Sequence, residues 1–175
     1  MTSQLPRRVW DGEKAVEAEH GESLREEIRS FISQYHAGTL SFLMTLRRNG
    51  TPVMRPVSTF VEGWTIGTIS QHHQVKVQHV RNNPTVGYLF IDAEGPPYMS
   101  LGYTKNVWVA GTAELIEDQE EVADFFRRRE AATGQGDAHP HDESYTRLLF
   151  RTTPTYLRAE GFAEHARPVI LTRFD

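Results

Sequence analysis

The sequence predicts a mainly β domain with peripheral helices, an α+β chain whose strands close a small antiparallel barrel. Two observations carry this. From about residue 39 onward most apolar segments are short and separated by turn residues, and the segments with helical spacing sit between or outside them. A chain of 175 residues with 38% hydrophobic side chains is long enough for one real core.

Taken in order, residues 1–20 are polar apart from Trp10 and read as an N-terminal arm, with residues 21–175 as a single domain. Ser23-Leu24-Arg25-Glu26 has the form of a capping box and predicts a helix start. Leu24, Ile28, Phe31, Ile32 and Tyr35 follow as an apolar stripe, and Gly38 is the expected stop. TLSFLMTL predicts a strand, RRNG a hairpin turn, and TPVMRPVSTFV a second strand beyond it. EGW is another tight turn, after which TIGTIS predicts a third strand. A helix over Gln74–Val80 is closed by Asn83-Pro84, and TVGYLFID is the fourth strand. A loop containing Gly95-Pro96-Pro97 leads to YTKNVWVAGTAELIE, a long strand with Val107, Val109, Ala113 and Leu115 inward and a bend at Gly111. Residues 118–132 read as a helix with Val122, Phe125 and Phe126 on its buried face. TGQGDAHPHDES reads as a loop, and TPTYLRAEG and PVILTRF as the last strands.

Composition narrows the partners. A formal charge of −4 and a pI near 6.1 give no basic field for nucleic acid or an anionic membrane, so any anion site must be local. The absence of Cys removes disulfides, thiolate metal sites and cysteine nucleophiles. With no signal-like run at the start and no apolar stretch of spanning length, a cytoplasmic protein is the expectation. His72, His73 and His79 read as solvated histidines, and His139 and His141 as part of a surface loop. Adjacent histidines on extended chain point apart and no acid lies beside them, so no metal site is expected. The stretch TISQHHQVKVQHVRNNP is instead a strand-to-helix junction, where Ser70 as a cap, the first helical N–H groups and Lys76 are suited to an anion.

Arg55-Pro56-Val57-Ser58, then Ser70, Lys76, Asn82-Asn83-Pro84, Val86 and Leu89-Phe90, followed by the NVWVAGTAE segment, resemble the pyridoxamine 5'-phosphate oxidase family and its wider split-barrel superfamily. The likeness covers roughly residues 24–116 and is weaker beyond. It implies an antiparallel split β-barrel of the FMN-binding type and a homodimer with flavin in clefts at the interface. It also implies hydride transfer between bound FMN and a small organic molecule. Matched residue by residue, the resemblance puts Arg55, Ser58, Ser70 and Lys76 at flavin-binding positions, with Pro56 and Val57 in the same strand beside the ring. Gln71, His72 and Gln74 belong to the junction expected around the phosphate, Gln74 or His72 filling the place of an Arg that this chain lacks. Asn106 stands where the family has a Gln reaching the flavin of the other subunit. The chain also departs from the pattern. Gln74 and Val75 replace a Ser-Arg pair, Phe60 replaces the substrate lysine, and Val169 stands where the oxidases have His. Arg129 and Thr133 match the Arg and Ser of the oxidases' substrate-phosphate segment. Two alternatives keep the fold: a reductase using a deazaflavin coenzyme, and a non-catalytic flavin- or haem-binding module.

Overall fold

A computed structural model of the protein describes residues 12–36, 41–92, 105–136, 146–162 and 168–174, with side chains of the first helix described from Gly21 on. Trp10, Gly38, Gly95-Pro96-Pro97, Tyr98, His139, His141 and Arg167 lie outside the described residues. The elements run α1 (Gly12–Ser33), β1 (Ser41–Leu46), β2 (Pro52–Val57), β3 (Phe60–Glu62), β4 (Thr65–Gln71), α2 (Val75–Asn82), β5 (Thr85–Ile91), β6 (Asn106–Ile116), α3 (Gln119–Thr133), β7 (Arg147–Glu160) and β8 (Val169–Leu171).

The strands form one antiparallel sheet in the order β2-β1-β5-β6-β7-β4-β3, with β8 added beside β7. This is a split β-barrel. Its curl is visible in the Tyr88 hydroxyl, which lies 3.1 Å from Thr68 Oγ1 and 3.3 Å from Thr152 Oγ1. Those partners sit on β4 and β7, strands that are not neighbours of β5 in the sheet. Burial pushes the Tyr88 phenol above its ordinary range, so it stays a neutral donor within this buried polar group.

Two apolar clusters divide the interior. The larger fills the barrel and the underside of α1, with Leu24, Ile28, Ile32 and Tyr35 packed against Leu43, Tyr88, Phe90 and Phe162. Burial, with Asp92 adding to it, pushes the Tyr35 phenol up to about 12. The smaller cluster lies under α3, where Val122 and Phe125 meet Phe60, Ile116 and Leu149. Phe125 sits directly on β4: a Cβ at Gly67 would come within 2.2 Å of its ring. Asp118 caps α3, its carboxylate accepting from the N–H groups of Glu120 and Glu121 at 2.9 and 3.0 Å, and Gly134 ends the helix at φ 72°.

Several expectations change. The first helix begins at Gly12, not at Ser23, so Ser23 and Glu26 are interior positions and Glu26 instead receives Arg29 and Ser30. Part of the expected arm, residues 12–20, is therefore helical, and residues 1–11 lie outside the described residues. The segment 51–61 is two strands, because the chain leaves β1 at Val57 and joins β4 at Phe60. At the crossing, Thr59 donates through both its N–H and its hydroxyl to the Tyr35 carbonyl. The RRNG hairpin closes with Gly50 at φ 81° and the Gly50 N–H on the Arg47 carbonyl at 2.8 Å. The bend at Gly111 is a register shift, where β7 carries an extra residue opposite Ala110 and Gly111. β7 itself starts at Arg147, so its first half precedes the strand expected over TPTYLRAEG. No described helix is long and apolar enough to cross a membrane.

Candidate functional site

The anion-binding expectation rests on β2 and α2. On β2, Arg55 pairs with Leu43, Val53 with Thr45, and both share the face on which Leu43 and Thr45 are buried. That face is covered by α2, whose Val77, His79 and Val80 are buried. Lys76 lies one helical turn before His79 and Val80, so it is carried onto the same side as Arg55. Burial first, then Arg55, holds the Lys76 amine below its ordinary range. Among the described residues no carboxylate forms an ion pair with Arg55 or Lys76. Two unneutralised cations brought into a partly buried place destabilise the fold locally, which is a signature of a site built for an anion.

The start of α2 adds neutral donors. Gln74 is the N-cap residue, extended at φ −71° and ψ 141°, but its side chain caps no N–H and no acid stands in the first turn. Ser70, buried at the end of β4, does not cap the helix either; its hydroxyl donates to Gln74 Oε1 at 2.9 Å. Ser70 and Gln74 thus fix each other beside exposed helical N–H groups. Gln71 closes β4 and its carbonyl accepts from the Gln74 N–H at 3.1 Å. His72 and His73 are exposed, with rings edge to face at 5.5 Å, and the His72 N–H is held by the Thr146 carbonyl. Neither is buried beside Lys76. His79 corrects the expectation of a solvated histidine: it is buried, with Nδ1 2.9 Å from Thr45 Oγ1.

The opposite face of the same strands is apolar and only half covered. Phe42, Met44 and Leu46 on β1, Leu89 on β5 and Trp108 on β6 are partly buried, while Pro56 and the 51% exposed Met54 on β2 are open. Trp108 lies flat on β5, since a Cβ at Gly87 would fall 2.3 Å from its ring. Asn106 is on this outer face too, two residues before Trp108. It is paired with Ile91 and Glu160, ten positions along β6 from Ile116, which shares Leu149 of β7 with Ile69, the residue before Ser70. About 30 Å of strand separates them at roughly 3.3 Å per residue.

The profile of the pyridoxamine 5'-phosphate oxidase family matches residues 24–160. The chain belongs to that family. Solved structures agree on the fold: Campylobacter jejuni ChuZ matches with a TM-score of 0.68 at 16% identity, over 86% of this chain and 60% of its own. A haem-binding protein from Mycobacterium smegmatis matches at 0.65 and 18%, over 85% and 57%. An F420 reductase matches at 0.57 and 19%, over 74% and 94%. No curated protein sequence matches the chain significantly.

Two of the remaining positions of the family pattern, Phe60 and Thr133, line a second feature, an open groove of about 520 Å³ between α1, β3 and the end of α3. Glu26, Arg29 and His36 give it a polar wall, and Phe60, Val61 and Thr133 the opposite one. Phe60 is 8% exposed and mostly committed to the core beneath α3, edge to face with Phe125 at 5.7 Å. Arg129 turns away from the groove's interior to the chain after α3, donating to the Gln135 and Gly136 carbonyls at 2.8 and 2.7 Å over the Phe126 ring. The Thr133 hydroxyl donates to the Arg129 carbonyl at 2.7 Å. Arg29 is paired with Glu26. Val169 is fully in the core. The sequence pattern drew attention to Arg129 and Thr133 but not to α1, whose polar residues line the same groove.

Proposed function

We propose that this family member is an FMN-dependent oxidoreductase, working as a homodimer on a small organic substrate. The observation that carries the reading is the convergence of Arg55 and Lys76 on one partly buried face without a carboxylate. A phosphate monoester fits that place chemically. It would take charge-assisted bonds from Arg55 and Lys76 and further bonds from the α2 N–H groups, with Ser70 and Gln74 fixing the junction. Pro56, Val57 and Ser58 would line the ring edge. Bound there, FMN supplies a ring that exchanges hydride with the substrate, while the protein positions both and excludes water.

The dimer reading is supported by the half-covered apolar face of β2, β1, β5 and β6, of a kind that monomers rarely leave exposed. A second copy seated on it would bring its own Asn106, which lies on this outer face and not on the face of Arg55, toward the cleft. The substrate is proposed to be other than pyridoxamine 5'-phosphate. Phe60 offers no charge where the oxidases have Lys, and both Arg29 and Arg129 are already engaged.

The test is the absorbance of protein purified without added cofactor and then titrated with FMN. A flavin band near ~450 nm, with saturable FMN binding, is the expected result. A band near ~420 nm with no affinity for FMN would replace FMN by the deazaflavin coenzyme, and a Soret band by haem.

A further inference from the structure

His79 is not in the family's pattern, yet it is buried on the side of α2 turned to β1, within the electrostatic reach of Arg55 and Arg47. Its Nδ1 is fixed on Thr45 Oγ1 at 2.9 Å. Thr45 pairs with Val53, so Arg55, two residues further along β2, is its diagonal neighbour on the same face. Arg47 follows Thr45 by two residues at the head of the hairpin, and Lys76 precedes His79 by one turn of α2. The two charged groups that act on His79, Arg55 and Arg47, are both positive, and the acid of β6, which also packs on α2, is the exposed Glu114 engaged by Arg151 at 3.6 Å. Arg81, also on α2, is paired with Glu117 at 2.6 Å, and that exposed pair does not neutralise the cluster.

We propose that His79 is the third cation of the phosphate site, and that it takes up a proton from solvent when a phosphate monoester dianion binds to Arg55 and Lys76. The inference rests on the anion-site part of the reading above and not on which ring the phosphate carries. In the ligand-free protein, burial first and then Arg55 and Arg47 hold the imidazole below its ordinary range, so it is neutral at pH 7. A dianion seated between Arg55 and Lys76 reverses the local field, and an opposite charge within a few ångströms moves a pKa by about one to three units toward the charged form. Nδ1 keeps Thr45 as its partner in both states, because a hydroxyl oxygen can donate to a bare nitrogen or accept from an N–H. Protonation then needs no movement of the ring.

The sign follows from linkage. The bound form has the higher value, so protons are taken up on binding between the two values. This contribution to affinity is fully present below the ligand-free value and is lost as pH rises through the bound value. The ligand's own phosphate titrates in the opposite sense near pH ~6, becoming a better ligand as it loses its proton.

The experiment is a pH titration of the His79 ring resonances in the full-length wild-type protein, assigned through the backbone, alone and saturated with FMN or with inorganic pyrophosphate. The expected result is an upward displacement of the His79 midpoint by at least about one pH unit with either ligand. Calorimetry of the same binding, in buffers of different ionisation enthalpy, should give net proton uptake that His79→Gln abolishes. Saturation with the His79 midpoint unmoved would overturn the proposal, as would failure of both ligands to bind at millimolar concentration. Pyrophosphate moving His79 while FMN does not bind would uphold the proposal and refute the flavin reading.

Discussion

Replacing Lys76 by Ala separates the anion site from the rest of a flavin cleft. In the ligand-free protein the Lys76 ammonium is disfavoured by burial and by Arg55. Its folded value lies below its unfolded one, so the unfolded chain holds the proton more strongly and the charged side chain costs stability at neutral pH. Removing it should therefore leave the thermal midpoint of the ligand-free protein unchanged or raised. With FMN bound, the same ammonium faces a dianion, and a hydrogen bond between charged groups is worth about 1.5–3 kcal/mol. The dissociation constant should rise by roughly 10- to 150-fold, since each 1.4 kcal/mol is a factor of ten. Fluorescence titration with FMN and with riboflavin, at fixed ionic strength, checks both parts. Riboflavin has no phosphate and should bind wild type and variant alike. Unchanged FMN affinity, or an equal loss for riboflavin, would refute the placement of the phosphate beside Lys76.

Met54→Glu, at a 51% exposed position on the outer face of β2, should leave the fold intact and convert the dimer to monomer in sedimentation velocity at micromolar concentration. A variant still dimeric, or a monomeric wild type that binds FMN, would remove that face from the interface. Gly67→Ala should lower stability by about 1–3 kcal/mol in denaturant unfolding, because its methyl would meet the Phe125 ring and displace α3; an unchanged midpoint would mean that α3 shifts at no cost.

Much of the architecture was readable because the residues involved obey local rules. The alternation through Val107 and Val109, the turn at Gly63 and the Pro84 stop each follow from one strand face, one backbone conformation or one missing donor. The misreadings arose where a long-range partner decides. Leu148, Leu149 and Phe150 alternate with nothing, because the first half of β7 is flanked by β4 and β6 and covered by core on both sides, one of them under α3. The break between Val57 and Phe60 depends on Tyr35, more than twenty residues earlier in the chain. At the site, Arg55 and Lys76 were legible through their order and spacing. Ser70 was expected as a cap, but the pairing of its hydroxyl with Gln74 depends on how β4 turns into α2. His79 does carry a sequence signal, since with Val80 and Lys76 it falls on one helical face, the one turned to β1.

The sheet order also fixes when the molecule can become whole. Among the described residues β3 and β4 join the ladder of the sheet only through β7, so Ser70 waits for Leu148 and Gln71 for Arg147, whereas β2, β1, β5 and one edge of β6 pair among themselves, the other edge of β6 also waiting for β7. During synthesis the first group would emerge early yet remain an unpaired hairpin until the fourteen residues of β7 leave the ribosome. Closing so long a loop is entropically slow, and an exposed hairpin edge invites pairing with other chains. The vulnerable species in this protein's life is therefore a half-built sheet with β4 bare, and substitutions that weaken β7 should show themselves as lost yield before they show themselves as lost activity.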